Sequence, residues 1–194
     1  MDSDDLGTTP GLPDETFEHD GLITKRHQRA SAFAFLRPRS GELLWDLGAG
    51  SGAVAIEWCR AAPDARAVAV ERDPERAGRA RHNAERLASG RVEVLVGDVP
   101  GLLGTLPRPD AVFVGGGASA EVLDRCWDAL GAGGRLVVHG VTIDTEGLLV
   151  EAYRSRGGSL ARLGVETAEP LGRFLGWRPL RPVVQWACVK GSSS

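Results

Sequence analysis

The chain has 194 residues, 42% of them hydrophobic and 25% charged, and its formal net charge is −3 at pH 7. This length suits one domain with a sizeable core, and the small negative charge gives no global reason to expect nucleic acid or an anionic membrane as a partner. The three cysteines, an odd number with no metal-ligand spacing to histidine, fit a reducing cytoplasm, and the chain shows neither a signal-peptide pattern nor an apolar run long enough to span a membrane.

The two ends of the chain differ in composition from the rest. Residues 1–11 are rich in Asp, Gly and Pro, which predicts a flexible lead or linker, and residues 191–194 form a Gly-Ser tail that we expect to be disordered. Between them, residues 12–190 are predicted to form a single domain. Its first helix is predicted over about 25–36, with Thr24 as the N-cap and an apolar stripe on one side.

Strand and helix signals then alternate as far as residue 156. The predicted strands cover 43–47, 66–71, 91–96, 110–114 and 135–139. The predicted helices cover 53–61, about 74–88 behind an Asp73 cap, 121–130 and about 145–156. This alternation predicts a parallel sheet with right-handed crossovers and with helices on both faces.

The pattern changes after Gly157-Gly158. Residues 159–166 and 182–189 are predicted strands joined only by a loop, 167–181, and a connection without a helix favours antiparallel pairing. This succession is similar to the class I S-adenosyl-L-methionine (SAM)-dependent methyltransferase fold, an α/β, Rossmann-like, seven-stranded sheet of order 3-2-1-4-5-7-6 with strand 7 antiparallel. A plain nicotinamide-binding Rossmann domain has a parallel sixth strand instead.

A glycine loop, Asp46-Leu-Gly-Ala-Gly-Ser-Gly52, connects the first predicted strand of the sheet to its helix. Glycines at alternate positions let the backbone turn sharply and let a ligand lie against bare main chain. We expect the N-terminus of the following helix to point free N–H groups at that ligand. The Gly-x-Gly-x-Gly spacing behind an acid resembles the SAM loop of class I methyltransferases and differs from the Gly-x-Gly-x-x-Gly of dinucleotide sites.

Three acids fall at or near the carboxyl ends of predicted strands, where open α/β sheets bind ligands. Asp46 lies beside the glycine loop, Glu71 closes the second strand and Asp98 follows the third. In the methyltransferase pattern, the acid at the place of Glu71 accepts both ribose hydroxyls and the acid at the place of Asp98 contacts adenine. A single acid is more often a cap or a solvated side chain, but three in register behind a glycine loop favour a SAM site.

The segment Val114-Gly-Gly-Gly117, after the fourth predicted strand, is the place at which methyltransferases of this fold contact the methyl acceptor. Enzymes that methylate exocyclic base nitrogens have an Asn/Asp-Pro-Pro-aromatic motif at this place, and no proline, amide or aromatic residue is present here to hold a flipped base. The three glycines indicate either a mobile loop or close approach of the backbone by a bulky substrate.

Several motifs together resemble one family, the decarboxylating precorrin C-15 methyltransferases of cobalamin biosynthesis. The resemblance rests on Gly11-Leu-Pro-Asp-Glu-Thr-Phe17, Ile23-Thr-Lys25, Trp45–Gly52 and Phe113–Gly117, and it covers about residues 11–190. It implies methyl transfer from SAM to C-15 of a precorrin, loss of carbon dioxide from the ring C acetate side chain, a contact between Thr24 and SAM, and a homotetramer.

The candidate site residues fall into three groups. The predicted SAM contacts are Thr24, Asp46, Gly48, Ala49, Gly50, Ser51, Gly52, Glu71, Asp98 and Val99. The predicted substrate contacts are Gly115, Gly116 and Gly117 together with the carboxylate anchors Lys25, Arg26, Arg29 and Arg173. His19 and His139 are the candidates for proton transfer, because imidazole titrates near neutrality. For each basic or histidine side chain, a surface or structural role is the alternative, and no metal site is predicted.

The late loop exposes Phe174, Leu175 and Trp177 between glycines and prolines, which predicts a subunit contact or a wall of the substrate cleft. Two alternatives to the leading hypothesis stay open at this stage. One is a SAM-dependent methyltransferase for another small-molecule, protein or RNA acceptor, and the other is a SAM-binding module without turnover. The residues leave open whether the macrocycle carries cobalt and whether a C-5 methylating domain precedes residue 1.

Overall fold

The computed structural model describes residues 6–191 of the chain. The strands are β1 (Leu43–Leu47), β2 (Arg66–Glu71), β3 (Val92–Val96), β4 (Ala111–Val114), β5 (Arg135–Gly140), β6 (Ser159–Leu163), β7 (Glu166–Leu171), β8 (Phe174–Pro179) and β9 (Val183–Val189). The helices are α1 (Arg26–Leu36), α2 (Ala53–Ala61), α3 (Pro74–Ala88), α4 (Val99–Leu102), α5 (Ala120–Ala129) and α6 (Ile143–Arg156), and a 3-10 turn covers Asp14–Thr16.

Seven strands form one sheet in the order β3-β2-β1-β4-β5-β9-β6. The first five strands are parallel, while β9 runs antiparallel between β5 and β6. The predicted class I order is confirmed, with β9 as its antiparallel seventh strand. Because β9 runs the opposite way, it begins at the same edge at which the parallel strands end, and Val184 lies opposite Gly140.

Two apolar layers sandwich the sheet. On one face, α1, α2 and α3 pack against the strands through residues such as Phe33, Ile56 and Leu87. On the other face, α4, α5 and α6 contribute residues such as Leu123 and Leu149. The central strands are therefore buried on both sides, as their nearly continuous apolar sequence predicts. Within the described residues, none of the helices is long and apolar enough to cross a membrane.

The prediction of a plain loop over 167–181 is wrong. Strands β7 and β8 pair antiparallel as a separate two-stranded sheet, called here the hairpin, and β6 ends at Leu163 instead of continuing to 166. Leu171 lies opposite Phe174, so the turn has two residues, Gly172 and Arg173, with Gly172 at φ +61°. A glycine at the first turn position is typical of hairpins. The prolines in these strands hide the strand signal in the sequence.

The predicted N-cap of the first helix is also wrong by one residue. Helix α1 begins at Arg26 with Lys25 as the N-cap, and the side chain of Gln28 accepts the Lys25 N–H at 3.1 Å. Thr24 therefore does not cap the helix through its hydroxyl. Its backbone carbonyl instead accepts a hydrogen bond from Nη1 of Arg29.

Residues 11–25, called here the strap, cross α1 and α2 and are fixed by a buried ion network. Nε of Arg29 donates to Glu57 at 2.9 Å, and Nη1 donates to Asp14 at 2.9 Å. Glu57 also accepts the backbone N–H groups of Gly11 at 2.8 Å and Leu12 at 3.0 Å. Every strong donor and acceptor of the network is paired, as burial of charge requires.

Part of the predicted lead contacts the domain. Leu6 packs against the core, and the carbonyl of Gly7 accepts a hydrogen bond from Arg60 at 2.8 Å. The first five residues of the lead and residues 192–194 of the predicted tail lie outside the described residues.

Candidate active site

A cavity of about 570 Å³ opens at the edge of the sheet where the parallel strands end. Its walls come from the strap, from the segments that follow β1 to β5, and from the residues before β9. This is the edge at which open α/β sheets bind ligands. The topology therefore brings residues from widely separated parts of the chain to one place.

The glycine loop forms the floor of the cavity, with Gly48, Ala49 and Gly50 in its lining. The N–H groups of Gly48 and Ala49 both donate to the carbonyl of Val70, at 2.9 and 3.0 Å, and the N–H of Gly50 donates to Glu71 at 2.8 Å. The backbone donors of these three residues are therefore used within the protein. At the N-terminus of α2, where free N–H groups were expected, Gly52 donates to the carbonyl of Ala49 at 2.9 Å and Ala55 donates to Asp46 at 2.9 Å. With their N–H groups paired, Gly48, Ala49 and Gly50 offer no free backbone donor to the cavity.

Gly48 is fixed by a backbone contact between two loops. Its φ is +71°, and a Cβ built on it would lie 2.7 Å from backbone atoms of Gly116. No side chain fits between the glycine loop and the loop after β4. Gly116 thus packs its backbone closely against Gly48, and all three glycines at 115–117 line the cavity.

We expect Gly48→Ala to lower stability and to weaken ligand binding, because alanine adds the clash to an unfavourable φ. Gly41→Ala is the matched control, since Gly41 has φ +75° but open space around the added Cβ. Backbone strain alone costs about 1 kcal/mol, and overpacking adds about 1–3 kcal/mol. Urea denaturation measures the free energy of unfolding of both variants. Equal losses of stability in the two variants would contradict the contact between Gly48 and Gly116.

The three predicted acids take different positions. Glu71 is buried but borders the cavity, and its two oxygens accept the N–H groups of Gly50 and Asp73, at 2.8 and 3.0 Å. Asp98 also lines the cavity, is exposed and has no hydrogen-bond partner among the described residues. Both carboxylates are available to ligand hydroxyl or amino groups, since each oxygen has a second acceptor site.

Asp46 does not line the cavity. It is buried beneath the glycine loop, where one oxygen accepts the N–H of Ala55 at 2.9 Å and supports the start of α2. Burial raises the pKa of Asp46 to about 7. Two more of the predicted SAM contacts, Ser51 and Gly52, lie outside the lining, whereas Thr24 and Val99 are part of it.

His139 lies on the wall of the cavity at the end of β5. It is almost completely buried, and its Nε2 is 2.8 Å from Oε1 of Gln185 on β9. Burial lowers the pKa of His139 to about 4, so the ring is neutral at physiological pH. A neutral imidazole at this place can donate one hydrogen bond and accept another. It does not carry the extra proton of a charged imidazolium, which would act as a general acid.

Four other predicted residues lie outside the cavity. Arg29 is fully buried in the ion network, so the expectation that it anchors a substrate carboxylate is wrong. Arg26 is exposed on α1, and Arg173 lies at the tip of the hairpin over the ring of Phe174. Nδ1 of His19 accepts the N–H of Gly21 within the strap at 2.9 Å. Lys25, by contrast, lines the cavity as expected.

Sequence reasoning missed several residues of the lining: Leu22, Gln28, Arg72, Arg76, Val141, Leu180, Arg181 and Val183. Val141 could have been found, because it follows the predicted fifth strand at the edge that binds ligands. Arg181 could not, because its position depends on the path of the hairpin. Within the part of the chain that the structure describes, no group of His, Cys, Asp and Glu side chains is arranged to hold a metal ion.

Comparison with known proteins gives consistent matches over almost the whole chain. Residues 15–190 match the family model described as a precorrin methyltransferase domain. A precorrin-6Y C(5,15)-methyltransferase (decarboxylating) from a Sinorhizobium species is 46% identical over 187 residues, covering 96% of this chain and 45% of the relative. The chain thus spans about half the length of that relative.

Two further matches are similar in length to this chain. A probable cobalt-precorrin-6B C(15)-methyltransferase (decarboxylating) from Pyrobaculum calidifontis is 32% identical over 190 residues, covering 90% of this chain and 93% of the relative. The crystal structure of the C-terminal domain of precorrin-6Y C5,15-methyltransferase from Rhodobacter capsulatus has a TM-score of 0.90 and 42% identity, and the match covers 95% of this chain and 100% of that one.

Proposed function

Because the chain belongs to the precorrin methyltransferase family, we propose that it methylates C-15 of a precorrin with SAM and decarboxylates the acetate side chain of ring C. The observation that carries this proposal is the part of each relative that the chain matches. It matches 93% of a relative named for C-15 methylation and decarboxylation alone, and 45% of one named for both C-5 and C-15.

The cavity fits SAM at its β1–β3 end. The carboxylate of Glu71 would accept the ribose hydroxyls, Asp98 would contact adenine, and the Cα surface of Gly48 and Gly50 would lie under the nucleoside. Bound there, SAM supplies an electrophilic methyl group on a sulfonium. Thr24 on the strap faces the same cavity and is the further contact that the family resemblance implies.

The residues at the other end of the cavity would position the acceptor. The reduced macrocycle provides its own enamine-like carbon nucleophile, so the main task of the protein is to hold this carbon in line with the methyl group. Gly115, Gly116 and Gly117 let the macrocycle approach the backbone closely. His139 would act as a neutral hydrogen-bonding group toward the acceptor, since its low pKa excludes a charged acid at neutral pH.

Mass spectrometry of a C-5-methylated precorrin, with and without cobalt, incubated with this chain and SAM tests the proposal. We expect a product that has gained one methyl group in place of hydrogen and lost carbon dioxide. Methylation without loss of carbon dioxide would confine the proposal to the transfer step. An unchanged substrate, with SAM bound in calorimetry, would contradict the proposed reaction and favour another acceptor or a binding module.

We also propose that the chain forms a homo-oligomer through the hairpin, a tetramer by the family resemblance. Both faces of this two-stranded sheet expose apolar side chains, including Phe174, Leu175 and Trp177, the last at 73%. An isolated two-stranded sheet is marginally stable in water, and contiguous exposed apolar surface marks interaction sites.

The three free cysteines are buried, and we propose the reducing cytoplasm as the compartment.

Trp177→Ala is expected to dissociate the oligomer, because the largest exposed apolar side chain of the hairpin would be lost. Sedimentation velocity measures assembly, and the methylation assay measures turnover. Tyr153→Ala, which removes a partly exposed aromatic side chain from α6, is the control that should leave both unchanged. An unchanged mass in the Trp177 variant would exclude this side chain as a subunit contact.

A further inference from the structure

The cavity is divided by charge along the edge of the sheet. Glu71 and Asp98 follow β2 and β3, whereas Arg181 lies just before β9. Four strand intervals separate β2 from β9 in the sheet, which at about 4.8 Å each is about 19 Å. The acidic end and the Arg181 end are therefore too far apart to serve the same part of one small ligand.

Arg181 is placed to meet an anion. Its backbone carbonyl accepts from Nε2 of Gln28 on α1 at 3.3 Å, which fixes the chain at this position. Its side chain is exposed and has no ion-pair or hydrogen-bond partner among the described residues. Lys25, another cation of the lining, pairs with Asp14 at 3.6 Å, and Arg76 pairs with Asp20 at 2.8 Å. Arg72 is also unpaired, but it directly follows Glu71 at the acidic end.

Apolar side chains border the same half of the cavity. Val141, which follows β5, lines it with 52% of its surface exposed. Ile143, two residues beyond Val141 and the first residue of α6, is 88% exposed. Large aliphatic side chains exposed beside a ligand cavity indicate a surface that a ligand covers.

We propose that the acceptor lies with an apolar face on Val141 and Ile143 and with a peripheral carboxylate on Arg181. This inference rests on the proposed function and adds to it the contacts that orient the acceptor. The combination fits an amphipathic polycarboxylate macrocycle, because the guanidinium fork binds a carboxylate in a bidentate manner while the aliphatic side chains cover the ring.

The test is to compare Arg181→Ala, Arg181→Lys and Ile143→Glu with the wild type in steady-state kinetics. Loss of a charge-assisted pair is expected to raise KM for the acceptor about tenfold to a hundredfold in Arg181→Ala, with kcat and the Kd for SAM within about twofold of the wild type. Arg181→Lys should recover part of the loss, and Ile143→Glu should raise KM through repulsion of the acceptor carboxylates. Arg154→Ala, an exposed arginine of α6 outside the cavity, is the control.

Esterification of the acceptor carboxylates tests whether Arg181 acts through a carboxylate of the acceptor, because the ester has no charge for the guanidinium to bind. The wild type and Arg181→Ala should bind the esterified macrocycle equally, whereas they differ for the free acid. Binding is read from macrocycle fluorescence with S-adenosylhomocysteine present, so it does not depend on turnover. A difference in binding without any turnover would support the contact and contradict the proposed reaction. Equal binding of the free acid by both proteins, or a matching loss of SAM affinity, would overturn the inference.

Discussion

Replacement of Arg29 by methionine is expected to lower the free energy of unfolding by about 3–5 kcal/mol, the cost of leaving a buried charge without its partner. Arg29 is fully buried and is the only cation that pairs with Glu57 among the described residues. Burial already raises the pKa of Glu57 above its ordinary value of 4.5, in spite of the opposing effect of Arg29. Without the guanidinium, this pKa rises further.

The expected loss depends on pH. The pKa of the Glu57 carboxyl group is higher in the folded than in the unfolded protein. Between these two pKa values the folded protein binds more protons than the unfolded one, so the free energy of unfolding falls as the pH rises through that interval. The deficit of the Arg29→Met variant should therefore be smaller near pH 4.5 than at pH 7. Urea denaturation at both pH values measures it.

Two further variants test the cause. Arg26→Met changes an exposed arginine one turn earlier on α1 and should alter stability by less than about 0.5 kcal/mol. Adding Glu57→Gln to Arg29→Met should restore part of the stability, because the unpaired carboxylate is then removed. If the double variant were as unstable as the sum of the two single variants, the ion pair would not be the source of the effect.

Glu71→Gln is expected to raise the Kd for SAM about tenfold to a hundredfold, since a hydrogen bond to a charged acceptor contributes about 1.5–3 kcal/mol. The amide nitrogen of glutamine donates and does not accept, so either Gly50 or Asp73 loses the acceptor of its N–H. The substitution thus removes the charge proposed to face the ribose and weakens one of the two contacts by which Glu71 holds the glycine loop and the start of α3.

Isothermal titration calorimetry with SAM measures this change. Glu75→Gln, an exposed carboxylate in the first turn of α3, is the control that should bind SAM like the wild type. An unchanged Kd in the Glu71 variant would place the nucleoside elsewhere in the cavity. Circular dichroism of both variants shows whether the fold is intact.

The central sheet could be predicted from the sequence because its signals are local. The bounds of β1, α2 and β2 and the Asp73 cap of α3 agree with those expected, since alternating apolar strands, glycines and a capping acid each act within a few residues. The same local signals, together with topology, placed Gly48, Glu71 and Asp98 at the edge that carries the cavity. Their contacts with SAM stay predictions.

The features that the sequence did not yield depend on distant partners. Arg29 has the same local surroundings in the sequence as an exposed arginine, and its burial depends on distant partners such as Asp14, 15 positions earlier, and Glu57, 28 positions later. The strands of the hairpin contain proline and expose both faces, so they lack the alternation that marks a half-buried strand. Arg181 reaches the cavity only because the hairpin returns the chain to the edge where β9 begins.

The backbone contact between Gly48 and Gly116 limits how the acceptor range of this protein can be redesigned. Because a Cβ on Gly48 would meet Gly116 at 2.7 Å, the wall between the two loops has no room for a selective side chain. A library aimed at new acceptors should therefore keep position 48 as glycine and vary Val141, Ile143 and Arg181. Those three side chains are exposed, so they can change in size or charge with little effect on the packing of the core.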